Sequence, residues 1–434
     1  MSNYSLAEQV LTLAQQSGAA AAEVYCANAQ SQPVVFEANR LKQLESSTSE
    51  GMALRLWVEG RPGLAVAYGA VEPEILVAKA KAIAELNPPE EIELYAGPSF
   101  QGEDPGHWFE PTQLIPWGQA AIAQILDHYP EVLCGLTVEC DRETSLLLNS
   151  RGFRGGYSTT GLSASLGVEW VRGEDFLGIY DDLDSQGARL PDCQTLLDRI
   201  FDHLTSAQDH APAPLGVMPV LFTPKAAPLF WEVVEEAMSG KACLEEASPW
   251  SKRQGDLLLA PNLTLHQDPH QGDDYCPMDD EGMATQAFAL INQGIFERMY
   301  CDRRVGRQLS QSSTGNGFRT SLGRYPSPGL VNLIVTPGNH RPAALQGMIR
   351  EGLMVDQILG GGGDLSGDFA VNVDLGYRIH QGEIIGRVKD TMIAGNVYNA
   401  LKKNVVLGED VRWVGNYATP SLLVEGLSIV SDEG

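Results

Sequence analysis

The sequence predicts an α+β protein. Three observations carry that prediction: helical periodicity alternates with strand-like runs in the first half, a Pro-rich break falls at His210-Ala-Pro-Ala-Pro214, and short strands with hairpin signals dominate beyond it. The expected organisation is an N-terminal α/β domain with a hairpin-rich sheet over 1–211 and a C-terminal, mostly-β domain with a few helices over 215–434.

The elements follow in order. Ser5 and Glu8 read as a capping box, Leu6, Val10 and Leu13 as one apolar face, and Gly18 as the stop of a first helix. VVFEA, MALRLWV and LAVAY, between Val34 and Tyr68, read as strands broken by the turn residues Glu59-Gly60-Arg61-Pro62-Gly63. Pro73 opens a second helix with Leu76, Ala80, Ile83 and Leu86 inward, and Pro88-Pro89 ends it. The stretch 88–116 holds six prolines (88, 89, 98, 105, 111, 116), six acidic residues and no Lys or Arg, so it predicts an extended connection. A helix around Leu114 to Tyr129 then precedes LCGLTVEC, TSLLLNS and YSTTGLSASLGVEWVRG, read as strands.

NRLKQLESSTSEGMALRLWVEGRPG and NSRGFRGGYSTTGLSASLGVEWVRG share a Ser/Thr-rich turn, an apolar strand and a Gly turn. An internal repeat explains the likeness, and so does the shared composition of two unrelated hairpins. A helix from Thr195 to Ala207 points Leu196, Leu197, Ile200, Phe201 and Leu204 inward. Beyond the break, helices are expected near Ala226 to Ser239 and from Pro342 to Gly352, with hairpin turns at Asn292-Gln293-Gly294 and His380-Gln381-Gly382-Glu383.

Composition narrows the function. With 30 Lys+Arg against 56 Asp+Glu in 434 residues, the formal net charge is −26, which argues against direct binding to nucleic-acid phosphates. Hydrophobic residues at 43% are enough for sizeable cores. No apolar run approaches the roughly 18 residues of a membrane span and no leader pattern opens the chain, so a cytoplasmic protein without membrane contact is expected. Cys26, Cys134, Cys140, Cys193, Cys243, Cys276 and Cys301 are scattered without a C-x-x-C pair and read as reduced thiols.

Three patterns could carry chemistry. His266, His270 and Cys276 in LHQDPHQGDDYC are zinc-ligand types, but Pro269 between the histidines argues against a shared helical face and for a loop. Glu232, Glu235 and Glu236 in LFWEVVEEAMSG could pair for acid/base work or form a solvated helix face. Gly360 to Gly363 followed by Asp364 lacks the Lys-Ser/Thr of a phosphate loop and reads as turn chemistry. Thr314, Gly315, Asn316 and Gly317, followed by Arg319, form a tight turn with exposed N–H groups and are the expected peptide- or partner-binding residues. No G-x-S-x-G nucleophile motif is present.

Several segments together resemble the TldD/PmbA family, bacterial proteins historically labelled modulators of DNA gyrase. In the first half the segment is EGMALRLWVEGRPGLAVAYG (50–69). In the second, in register, they are DDEG (279–282), INQGIF (291–296), STGNGFR (313–319), NLIVTPGN (332–339), SGDFAVNVDLGYRIHQGEI (366–384), DTMIAGN (390–396) and PSLLVEGLSIV (420–430). The family has two kinds of subunit. TldD-type members look like zinc peptidases with a helical HExxxH motif and a cysteine near the C-terminus, whereas PmbA (TldE)-type members lack these and pair with the first kind.

Here the corresponding helix, PKAAPLFWEVVEEAMSGK (224–241), has no histidine, and no cysteine follows Cys301. A rough alignment sets Glu232 and Ala237 near the two histidine positions and Val233 near the general-base glutamate. The resemblance therefore implies a PmbA/TldE-like subunit of a TldD/TldE-type metalloprotease acting on unfolded or flexible peptides captured as an added strand. No catalytic residue, metal ligand or cofactor is expected in this chain, with zinc expected only in a TldD-type partner. The expected assembly is a heteromer with that paralogue or a homodimer. The alternatives are a self-sufficient metallopeptidase with a relocated site at His266, His270 and Cys276, and a non-proteolytic regulator or scaffold.

Overall fold

The computed structural model describes residues 3–104, 106–185, 187, 189–272 and 275–431. The first half runs α1 (Asn3–Gln16), β1 (Ala21–Glu37), β2 (Arg40–Leu44), β3 (Ser47–Val58), β4 (Arg61–Tyr68), α2 (Pro73–Leu86), β5 (Phe100–Gln101), α3 (Pro111–His128), β6 (Leu133–Asn149), β7 (Arg154–Arg172), β8 (Asp175–Ser185) and α4 (Gln194–Ser206). The second half continues with β9 (Gly216–Phe222), α5 (Pro228–Met238), α6 (Gly240–Leu244), β10 (Leu265–Gln267), β11 (Phe288–Asn292), β12 (Ile295–Phe296), α7 (Arg303–Gln308), β13 (Gly317–Phe318), β14 (Ser327–Pro328), β15 (Leu333–Val335) and α8 (Pro342–Gly347). It ends with β16 (Glu351–Gly363), β17 (Asp368–His380), β18 (Glu383–Arg387), β19 (Thr391–Asn396), α9 (Val397–Ala400), β20 (Val406–Leu407), β21 (Arg412–Val414), β22 (Tyr417–Thr419) and β23 (Leu422–Ser431). The molecule is α+β, as its sequence predicts. No helix among the described residues is long and apolar enough to cross a membrane.

The first half is one long sheet in the order β4-β3-β1-β6-β7, with β8 on the far side of β7. Its centre is the antiparallel pair β1 and β6, in register from Glu23↔Asn149 to Phe36↔Leu136. On either side the chain repeats one topology: α1-β1-β3-β4-α2, then α3-β6-β7-β8-α4. The two similar sequence segments thus form the outer hairpins of two like units related by a local two-fold at the β1/β6 centre. Each unit lays its two helices on its own end of the sheet. Val10, Leu76 and Ala80 pack on Val24 and Leu54 in the first unit; Leu114, Ile125 and Ile200 pack on Leu136 and Leu166 in the second. The second core also takes in Leu375 and Tyr377 from β17.

Several expected elements shift. Ser5 lies inside α1, whose buried face is Ala7, Val10, Leu11 and Ala14 rather than Leu6 and Leu13. β1 starts at Ala21, because alanines fill buried positions without a bulky alternation to betray them. LCGLTVEC and TSLLLNS are one strand, β6, running through the polar Asp141-Arg142-Glu143. The extended connection ends at Glu110: Pro111 is the first residue of α3 and Pro116 lies inside it, while Pro105 lies outside the described residues. First-turn amides have no helical partner, so proline at that opening costs nothing. In α2, Ile83 and Leu86 are exposed, contrary to the inward stripe read from sequence. Gly63 explains the rotation: a Cβ there would stand 1.9 Å from the Ala80 carbonyl oxygen, so α2 sits directly on β4 through Ala80 and Ala84, turning the larger residues out.

In the second half, β16, β9, β23, β19 and β17 close into a ring through the β16–β17 pairing. A second sheet, β12-β11-β10-β15-β22-β21, lies apart, and α5 is buried in the core these elements share. Both expected hairpin turns form, with Gln293-Gly294 and Gln381-Gly382 at positive φ. The helix from Pro342 stops at Gly347, and Gly360 to Gly363 belong to β16 rather than to a turn.

The halves meet along the outer edge of β8, where side chains stand in for a neighbouring strand. The Gln357 side chain accepts from the Tyr180 amide (2.9 Å) and donates to the Gly178 carbonyl (3.2 Å), as a strand backbone would. Lys225 donates to the Tyr180 carbonyl, Arg387 to that of Phe176 (3.2 Å) and Arg412 to that of Asp182 (3.0 Å). Asp181, 1% exposed, accepts from both Arg199 (2.9 Å) and Arg412.

Candidate functional site

Helix α5 presents two sides. Phe230, Val233, Val234 and Ala237 point into the core, and a Cβ on Gly363 would come within 2.6 Å of Val233. The opposite face meets the C-terminal segment. Trp231 Nε1 donates to Thr419 Oγ1 (2.7 Å), Tyr417 donates to Glu235 Oε2 (2.7 Å), and Tyr300 donates to the Glu235 carbonyl (3.3 Å). Burial pushes the Glu235 carboxyl up to about 7; the Tyr417 hydrogen bond opposes this, and Glu232 and Glu236 reinforce it. Glu232 and Glu236 themselves are exposed.

These contacts correct the rough alignment. Val233 and Ala237 face the core, and the Ala237 carbonyl is taken by Ser248 Oγ (2.6 Å), so neither can face the C-terminal segment. Placing the HExxxH motif one residue earlier sets Glu232 on its glutamate, with Trp231 and Glu236 where histidines would stand. Zinc does not fit this set: an indole offers no metal ligand, and the facing strand supplies Tyr417 and Thr419 rather than a thiolate.

His266 lies in strand β10 rather than in the loop expected there, His270 is exposed beyond it, and the buried Cys276 thiol bonds to Tyr157 (3.3 Å) and the Met278 carbonyl (3.4 Å). Among the described residues no group of three His, Cys, Asp or Glu is placed to hold a metal ion. The seven cysteines are all free, and all but the half-buried Cys193 are buried.

The segment from Thr314 to Arg319 is largely internal scaffold. Thr314 bonds to Asn316 (2.7 Å), Asn316 donates to Gln267 (2.5 Å) and to the Gly329 carbonyl (2.8 Å), and Gly315 and Gly317 are buried. The Gly317 amide donates to Asp279 (3.0 Å) and the Arg319 amide to Asp280 (2.7 Å). Arg319's guanidinium, with that of Arg55, is bound to the buried Glu23 (2.6 and 2.9 Å). Burial pushes the Asp279 and Glu281 carboxyls well above the usual carboxylate range, despite the backbone amides they accept. Phe318 and Arg319 of this segment line a cavity of about 310 Å³ that they share with Tyr25, Tyr157 and Asn416.

A larger cavity of about 780 Å³ opens at the seam between the halves, with α4 on one wall and Leu221, Met354, Ile384 and Val411 on the other. His203 stacks on Tyr377 with ring centroids 5.8 Å apart, and its Nε2 stands 3.3 Å from the Asp356 carboxylate. Burial alone would raise Asp356, but His203, Lys225 and the Thr223 hydroxyl outweigh it and hold the carboxyl well below the usual range. Both His203 nitrogens are engaged, since Nδ1 meets the Tyr377 hydroxyl at 3.0 Å. His203, Lys225 and Thr223 thus close a polar network around Asp356. Sequence could not bring it forward, because these residues come from elements far apart in the chain.

Comparison with known proteins completes the picture. The PmbA/TldA metallopeptidase C-terminal domain matches residues 215–431, and PmbA/TldA metallopeptidase domain 1 matches 22–84. The chain is 28% identical over 197 residues to a Haemophilus influenzae protein named metalloprotease TldD homolog, covering 44% of this chain and 40% of that one. It is 25% identical over 227 residues to metalloprotease PmbA of Escherichia coli O157:H7, covering 50% and 47%. The matches thus span less than half the length of these curated relatives. In fold it superposes on TldE from Thermococcus kodakarensis with a TM-score of 0.85 at 22% identity, over 98% of this chain and 99% of that one.

Proposed function

Because the chain belongs to the PmbA/TldD metallopeptidase family, we propose that it is a PmbA/TldE-like subunit which takes part in proteolysis without itself carrying the metal. One observation supports this above all: the α5 face turned toward the C-terminal segment is closed by Trp231–Thr419 and Glu235–Tyr417. A hydrolytic zinc needs about three protein ligands and an open position for the water it activates. This face offers neither. The chain would instead form one wall of a chamber and hold an unfolded or flexible peptide in extended form, while a TldD-type relative brings the zinc. Main-chain hydrogen bonds make such holding tolerant of sequence.

The test is co-expression with a TldD-type relative from the same source, followed by native mass spectrometry, metal analysis and a peptidase assay on one preparation. A heteromer with zinc only on the relative, and activity lost when either chain is omitted, is the expected result. Stoichiometric zinc on this chain alone, or activity of the relative indifferent to this chain, overturns the proposal.

A further inference from the structure

The seam cavity of about 780 Å³ has two unlike walls. One is a face of α4. Thr195, Arg199, Asp202, His203 and Ser206 recur at the three- and four-residue spacing that sets side chains on one side of a helix, while Leu196, Leu197, Ile200 and Leu204 pack on the sheet behind. The other wall belongs to the second half and is apolar at Leu221, Met354, Ile384 and Val411. Volume and place, at the junction of two folded halves, are those of a small-ligand site. It shares no lining residue with α5 or with the cavity at Tyr25.

Most of the charges around this cavity are already engaged. Asp356 is held by His203, Lys225 and Thr223, and Asp410 accepts from the Ser421 hydroxyl (2.5 Å) and amide (3.2 Å). Two charges remain open. Arg199 and Arg412 share the single carboxylate of Asp181, which leaves one positive charge over, and Arg199 Nη1 has no partner among the described residues. Asp202, three residues on, is exposed, and its carboxylate meets no cation or donor among the described residues. Because Arg199 turns to Asp181, the two open charges lie side by side on one wall, opposite in sign, about 4.5 Å apart in rise along α4.

We infer that the seam cavity binds a short peptide of two or three residues with free termini and apolar side chains, its carboxylate on Arg199, its ammonium on Asp202 and its side chains against the apolar wall. The inference goes beyond the proposed function and holds whichever chain carries a metal. Open charges of both signs on one wall call for a zwitterion rather than a fatty acid or an amine. The facing wall calls for apolar groups along the opposite side of the same ligand. Length agrees as well: two or three extended residues span about 7 to 11 Å, and the α4 face from Thr195 to Ser206 rises about 16 Å. A chain captured as an added strand is held by its main chain, whatever its ends. Here the ends are the recognised groups, and the ligand touches both halves at once.

The test is calorimetric titration of the purified full chain with leucyl-leucine, with hydrogen exchange at the Tyr180 amide as a readout of the seam. The expected result is binding with a Kd at or below about 1 mM, slower exchange at Tyr180 when the probe is bound, and loss of binding in Val411→Trp, which fills the cavity. Asp202→Asn should weaken leucyl-leucine at least ~3-fold yet leave N-acetyl-leucyl-leucine unchanged, since that probe has no ammonium to lose. Should Val411→Trp misfold, Asp202→Asn and the capped probe carry the test. No binding of leucyl-leucine at about 10 mM overturns the inference. So does equal affinity for glycyl-glycine, octanoate or hexylamine, or an Asp202→Asn effect that is the same with and without the acetyl cap. None of these readouts involves zinc, a TldD-type relative or peptidase activity, so the inference fails or stands apart from the proposed function.

Discussion

The β4 and β8 edges belong to units of the same topology, yet one is open and the other closed by side chains. At β8, Gln357, Lys225, Arg387 and Arg412 reach from the second half to the outward backbone groups. At β4 the corresponding groups meet, among the described residues, only Asn87 at the strand's beginning. The difference is not in the turns, since both hairpins close on a glycine at positive φ, Gly60 and Gly173, but in what the rest of the chain delivers to the strands. A duplicated fold unit thus acquires two roles by changing its surroundings, one as an internal seam and one as an outward face.

The comparison can be broken most severely at Asp181. Asp181→Ala leaves Arg199 and Arg412 without their shared carboxylate and should cost about 3 kcal/mol in denaturant unfolding; a loss below about 1 kcal/mol would show that the seam does not depend on that ion pair. Gln357→Ala strands the Tyr180 amide and the Gly178 carbonyl and should cost about 2 kcal/mol, with faster exchange of the Tyr180 amide as a local readout. Proline sharpens the contrast further: the register of each hairpin turns the Val66 and Tyr180 amides outward, but only Tyr180 spends its amide, on Gln357, so Tyr180→Pro should cost about 1 kcal/mol more than Val66→Pro.

The smallest effect near neutrality is that of acid. Asp356 and Asp175 are both held below the usual carboxylate range: burial opposes this, but His203 and Lys225 prevail at Asp356, and Lys389, Arg172 and Arg387 at Asp175. A carboxyl lowered on folding stabilises above its unfolded pKa and loses that contribution as pH falls toward the folded one. Protection against exchange along β8, taken relative to the intrinsic rate at each pH, should therefore be unchanged at pH 5 and fall below about pH 4, where free carboxylates protonate. Protection along β4 should show no such step.

Much of the fold could be read in the residues because local rules and tertiary packing agree. Gly18, Pro73 and the two Gln-Gly turns each sit where backbone chemistry demands them. The reading failed where packing overrides periodicity. Gly63 brought α2 down onto its alanines and turned Ile83 and Leu86 outward, which no pattern of apolar residues could reveal. That α5 holds no histidine is plain in the sequence, but which face of α5 meets the C-terminal strand depends on Trp231 and Thr419, 188 positions apart. The Thr314 to Arg319 turn looked available because its glycines and asparagine suit an exposed loop. Their polar groups are instead consumed by Asp279, Asp280 and Gln267.

The Gln357 amide has a consequence for any attempt to divide the chain. With it in place the long sheet has, among the described residues, one outer edge whose backbone groups lack partners, that of β4. Cut away from the second half, the first half would expose β8 as well, and a body with two edges can add neighbours at both ends without limit. The ring of β16, β9, β23, β19 and β17 closes on itself and carries no such hazard. A single side chain thus helps to keep the sheet from growing at both ends.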